Sequence, residues 1–169
     1  MPLLEKAFTA TVSVLGERHS ATGDILVEYG AVLADLGRDD EGLERMREGF
    51  AVHRTIHGRG FPATLRSADL VGHQLVKMGR YAEARNLYAE SLANLEKVVG
   101  PDSPHLYSTL FNLGNSAAGC GDLVAGLSHH RRALDLLEQG EEANPSYLQQ
   151  SREAIADLLA RTDSPAIER

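Results

Sequence analysis

Tryptophan is absent, cysteine occurs once, and aromatic residues make up only 5% of the 169-residue chain. A β-sandwich core draws heavily on aromatic and β-branched residues, so this scarcity argues against sheet packing and for closely packed helices. The lone Cys120 has no partner for an intramolecular disulfide, which fits a reducing compartment. Positive charge is also short: 24 Asp and Glu face 17 Lys and Arg, a formal charge of −7. That balance excludes nucleic acid as the main ligand, because phosphate binding needs a basic face. No run approaches the roughly 20 apolar residues that span a bilayer, so no membrane role is expected. Glu5 and Lys6 interrupt the apolar N-terminal stretch, so a signal-peptide core is missing and the cytoplasm is the expected location.

What the chain does have is periodicity. Gly16, Gly58 and Gly100 stand 42 residues apart, and so do Gly30, Gly72 and Gly114, and Gly37, Gly79 and Gly121. Apolar positions keep the same step: Leu26, Ala68 and Leu110; Tyr29, Val71 and Leu113; Leu36, Met78 and Cys120; Phe50, Leu92 and Leu134, reaching back to Phe8. Small residues recur at Gly42, Ala84 and Gly126, then at Gly49, Ser91 and Ala133. Internal repetition at a fixed period is the mark of a repeat architecture.

Within a copy the apolar spacing is helical. Ala68, Val71, Gly72, Leu75 and Met78 fall on one face, and Gly79 stops that helix. A second stripe runs through Tyr81, Ala84, Tyr88, Ser91, Leu92, Leu95 and Val98, ending at Gly100-Pro101. Pro62 and Pro104 sit where a first helix should begin, a position that tolerates the missing N–H. The pattern predicts helices over 3–15, 20–36, 39–57, 62–78, 81–99, 104–120, 123–139 and 147–161. This is one repeat domain over 1–161, with full copies at about 20–57, 62–99 and 104–139. Half-copies fall at 3–15 and 147–161, and 162–169 is expected to be a flexible tail. At Gly30, Gly72 and Gly114 the first helix is expected to approach its partner closely, with Gly42, Ala84 and Gly126 at the reciprocal contacts.

The segment GRYAEARNLY (79–88) resembles the second-helix signature of the tetratricopeptide repeat (TPR), Ala in a Tyr-x-x-Glu-Ala context. The usual repeat is about 34 residues long, and eight more make about two further helical turns. That length, together with GPDSPHLYSTLFNLG (100–114), resembles the kinesin-light-chain type, also found in arrays of bacterial signalling proteins. The resemblance covers roughly residues 3–160. It departs from the family at Asp39-Asp40-Glu41-Gly42 and Leu123-Val124-Ala125-Gly126, and Glu28 and Leu70 stand where copy three has Asn112. The fold it implies is an all-α, right-handed superhelical α-solenoid of antiparallel helix pairs. Its concave side would be lined by the first helix of each pair.

On that face the expected peptide-binding residues are Asp24 and Glu28 in copy one, Arg66, Asp69 and His73 in copy two, and Ser108, Phe111, Asn112 and Asn115 in copy three. Val27, Ala31 and Leu70 lie alongside them. Phe111 is an apolar anchor candidate, and the Asn carboxamides can bond a peptide backbone. The functional expectation is a scaffold or adaptor docking a peptide or helix of a protein partner. The alternatives are self-association, with the N-terminal helix (Leu3, Leu4, Phe8, Val12, Val14, Leu15) as the dimer contact, and a regulatory sensor module of a larger bacterial signalling protein.

Catalytic signals are weak. His53 and His57 have metal-ligand spacing, but Leu95 and Val99 take their places one copy later, which suggests that the pair faces a neighbouring helix. His130 falls at the position of Met46 and Tyr88, which suggests packing, and Cys120 falls on an apolar stripe and is expected to be buried. Neither a phosphate loop nor a nucleophile elbow is present. No enzyme activity, cofactor or metal is expected.

Overall fold

The computed structural model describes residues 2–140 and 144–163. They form α1 (Pro2–Leu15), α2 (Ser20–Asp35), α3 (Asp39–His57), α4 (Pro62–Lys77), α5 (Tyr81–Val99), α6 (Tyr107–Gly119), α7 (Leu123–Glu138) and α8 (Pro145–Asp163). Among the described residues there is no strand. The chain divides into two compact units, Met1–Arg80 and Tyr81–Arg169.

Most helix boundaries agree with the sequence to within two residues, and the differences have local causes. Helices α2, α4 and α6 stop one residue short because residues 36, 78 and 120 serve as their C-caps. A glycine with φ between 72° and 84° follows each of them. Gly37 N–H donates to the Ala34 carbonyl and Arg38 N–H to that of Leu33; the same pair of bonds recurs at Gly79-Arg80 and Gly121-Asp122. Only glycine takes this left-handed turn cheaply. Residues 104–106 form a 3-10 turn ahead of α6, with Ser103 Oγ accepting from His105 N–H. Asn144 Oδ1 accepts from Ser146 N–H, so α8 starts at Pro145, and it runs on through residues 162 and 163. The rest of the expected tail, 164–169, lies outside the described residues, as does the side chain of Leu4.

In unit 1, α2 and α3 form the central antiparallel pair, with α1 against α2 and α4 against α3. The two backbones nearly touch. A Cβ on Gly30 would lie 2.5 Å from the Gly42 carbonyl oxygen, and one on Gly42 would lie 2.6 Å from that of Gly30. A second contact follows about two turns further on, where a Cβ on Gly49 would sit 2.5 Å from the Gly23 oxygen. Adding one methyl at such a place forces the helices apart, at a cost of about 1–3 kcal/mol.

In unit 2, α6 pairs with α7, flanked by α5 and α8. The Gly114–Gly126 contact recurs but is looser, with a Cβ on Gly126 3.1 Å from the Gly114 oxygen. Gly114 also makes room for His130, as Gly30 does for Met46.

Another equivalent pair has been rewritten. In unit 1, Lys77 Nζ lies 3.4 Å from Asp39 and 3.3 Å from the Ala34 carbonyl. At the matching positions in unit 2, Gly119 lies directly under the Tyr81 ring, which a side chain there would strike.

Three expectations about burial are corrected. Cys120 is exposed and Leu36 is 60% exposed, because the C-cap residue beside the turning glycine points off the apolar stripe. Val98 is also 60% exposed. A stripe spaced by sevens drifts about 20° per heptad around a straight helix, which carries the last residue of the α5 stripe off its face.

Two histidines are buried to 1% exposure. His53 joins three helices: its Nε2 lies 3.1 Å from the Ser20 carbonyl of α2 and its Nδ1 lies 2.7 Å from Ser67 Oγ of α4. The carbonyl can only accept, so Nε2 donates to it, while Nδ1 meets the Ser67 hydroxyl, whose oxygen also lies 2.8 Å from the Ala63 carbonyl. His130 has an Nδ1 with no hydrogen-bond partner, and burial, then the neighbouring His129, push its pKa from 6.5 down to about 4.

Two measurements follow from this difference. Ser67→Ala leaves His53 Nδ1 buried without a partner and should lower unfolding stability in urea by about 1–3 kcal/mol. A loss below about 0.5 kcal/mol would remove Ser67 from the network. For His130, the unfolded chain takes a proton near 6.5 and the folded chain only near 4. Its contribution is therefore intact above 6.5, declines as pH falls between those values, and levels off below, with at most about 3 kcal/mol at stake. His130→Met, which copies Met46, should flatten urea midpoints across that window; an unchanged acid slope would contradict the assignment.

Candidate functional site

The expected binding residues lie on the first helices, α2 and α4 in unit 1 and α6 in unit 2, and each unit has its own character. In unit 1, Asp24 and Arg66 occupy equivalent positions on adjacent first helices and bond to each other, Nη2 to Oδ1 at 2.8 Å. The same Asp24 oxygen lies 3.5 Å from Nε2 of His53. Much of the charge these residues would offer a ligand is thus already partnered, and such an exposed pair adds little stability. Glu28, Asp69, Leu70 and His73 are exposed around it. Val27 is not part of this face. It is buried against Gly49, whose absent side chain makes room for it, so its place among the groove positions is corrected. Ala31 is half-buried.

At the edge of unit 1, Gln74 Nε2 donates to Asp39 Oδ1 at 2.8 Å, and this bond, with Lys77 nearby, holds the carboxyl below its ordinary range. The contact ties α4 to the start of α3.

In unit 2, Ser108 is exposed and Phe111, Asn112 and Asn115 are half-buried. The Phe111 ring meets that of Tyr107 at 5.7 Å and the buried His130 edge-on at 4.8 Å. Tyr107 in turn stacks on Tyr147 at 4.9 Å and donates its hydroxyl proton to the Tyr147 carbonyl at 3.3 Å. Burial raises the Tyr107 pKa. Phe111 is therefore one member of an aromatic row, with part of its ring in contact and part open.

Sequence reasoning did not find Tyr107 and Tyr147. The available signal was an aromatic residue in the first turn of each of two first-type helices.

The paired histidines of α3 are committed elsewhere. His57 Nε2 lies 3.0 Å from Ser20 Oγ, and its ring stacks on Phe61 at 4.3 Å. Both rings converge on Ser20, and among the described residues no cluster of three His, Cys, Asp or Glu side chains could hold a metal ion. Among the described residues, too, no helix is long and apolar enough to cross a membrane.

The tetratricopeptide repeat model matches residues 21–97 and 61–146. No curated protein sequence matches the chain. Among solved structures it is similar to BtubC (BKLC) from P. vanneervenii, with a TM-score of 0.81 at 16% identity over 95% of this chain. It spans 64% of the length of that protein. A putative kinesin light chain with nearly identical TPR-like repeats from Podosopora anserina gives a TM-score of 0.75 at 16% identity, covering 97% of this chain and 87% of that one. MamA from Desulfovibrio magneticus RS-1 gives 0.53 at 15% identity, with 97% of both chains covered. These likenesses show an all-α, TPR-type solenoid fold, and proteins of the matched repeat family generally serve as protein–protein interaction scaffolds. The chain belongs to the tetratricopeptide repeat family, and its solved neighbours include repeats of the kinesin-light-chain type.

Proposed function

We propose that the chain is a non-enzymatic adaptor of the cytoplasm whose first helices dock a peptide segment or helix of a protein partner. Contact in unit 1 runs through Asp24, Glu28, Arg66, Asp69 and His73, and in unit 2 through Ser108, Phe111, Asn112 and Asn115. The observation that carries this reading is Phe111. Its ring is half-buried and braced from behind by Tyr107 and His130, so it offers apolar surface with little rotamer freedom left to lose.

A second reading, self-association, is favoured by α1, where Leu3 and Val14 are 81% and 79% exposed. Phe8 and Val12 on the same helix are half-buried. A dimer through α1 requires a scattering mass that rises with concentration in the micromolar range; a constant monomer mass rejects it.

For the adaptor, affinity capture from the source lysate supplies a partner, and binding is then measured on Phe111→Ala and Asn112→Ala. Each should weaken binding by about tenfold or more, the scale of an interface anchor. Melting curves by circular dichroism check that the variants stay folded. Full binding by both folded variants would reject the assignment.

A further inference from the structure

The four first-helix positions on the docking face differ sharply in charge between the units. Unit 1 has Asp24, Glu28 and Ala31 on α2, where Val27 at the remaining position is buried, and Arg66, Asp69, Leu70 and His73 on α4. The equivalent residues of α6 are Ser108, Phe111, Asn112 and Asn115, and the whole helix, YSTLFNLGNSAAG, contains no Asp, Glu, Lys, Arg or His. Its backing is uncharged as well. The imidazole behind Phe111, that of His130, is neutral at neutral pH because burial holds its pKa at about 4. On the neighbouring α8, Asp157 is paired with Arg161 at 3.2 Å, and Glu153 accepts from the Gln149 carboxamide at 2.6 Å, which ties the carboxylate to its own helix but leaves its charge in place.

A charged group pressed onto this face would lose hydration and find no counter-ion on α6 to replace it. A neutral segment loses nothing comparable. Its apolar side chain can cover the open part of the Phe111 ring, and the Asn115 carboxamide offers both a donor and an acceptor to a main-chain amide.

We propose that the α6 face selects an uncharged peptide segment, one apolar side chain of which rests on Phe111 while its backbone bonds Asn115. This rests on α6 being a docking face at all, and the test separates the two ideas. The probe is a phage-displayed library of random peptides panned on the full chain.

The enriched peptides should lack Asp, Glu, Lys and Arg around an apolar residue. Their affinity should change less than about twofold between about 50 and about 500 mM NaCl, since no ion pair is there to screen. Ser108→Asp and Asn115→Asp, which put a carboxylate on the face without touching the core, should each weaken binding about tenfold or more at unchanged melting temperature. Enrichment of charged peptides, a tenfold loss of affinity with salt, or indifference to both variants overturns the proposed chemistry and leaves docking standing. No enrichment of any peptide overturns docking itself and this inference with it.

Discussion

Contact between bare backbones at Gly30 and Gly42 is the constraint from which the rest of unit 1 follows. With no side chains between them, α2 and α3 approach until carbonyl oxygens limit the distance. Every neighbouring side chain is then sized to the remaining space: Met46 over Gly30, Val27 over Gly49, His53 over Gly23. Packing of this kind is stiff, because nothing at the contact can rotate out of the way. Unit 2 keeps the plan with a wider gap, and His130 takes the place of Met46. Rigid hairpins of this sort can hold outward residues such as Phe111 at fixed positions without a ligand to organise them.

The two buried histidines show how different the same residue can be in equivalent scaffolding. His53 is enclosed by polar partners from α2 and α4 and works as a cross-link between helices. His130 is enclosed by Gly114 and the edge of Phe111 and works as a slab-shaped filler, with one ring nitrogen left unbonded. Neither arrangement frees an imidazole for catalysis or metal binding.

Much of this fold was legible in the sequence because the glycines mark it twice. One series, Gly37, Gly79 and Gly121, turns the chain; another, Gly30 with Gly42 and Gly114 with Gly126, lets helices meet. The 42-residue step exposed both before any coordinate. What it hid was what breaks the step. Cys120 and Leu36 extend the apolar stripes of their helices yet point outward, because a cap residue's direction depends on the turn that follows it. The His53 network could not be read either, since Ser20 and Ser67 come from different helices and do not recur. Of the proposed docking face, periodicity located the helices, and Val27 shows its limit: burial was decided by a missing side chain on the opposite helix.

The exchange of Lys77 and Asp39 for Gly119 and Tyr81 bears on how such an array can evolve. Each junction between consecutive repeats has its own matched couple, an ion pair in one and a ring over a bare backbone in the other. A recombination event that duplicated or shuffled one repeat would set Lys against Tyr, or leave Asp facing an empty space. The copies are therefore not interchangeable bricks. Lengthening or shortening this chain by whole repeats demands a compensating change across the seam, which ties each repeat to the neighbour it has now.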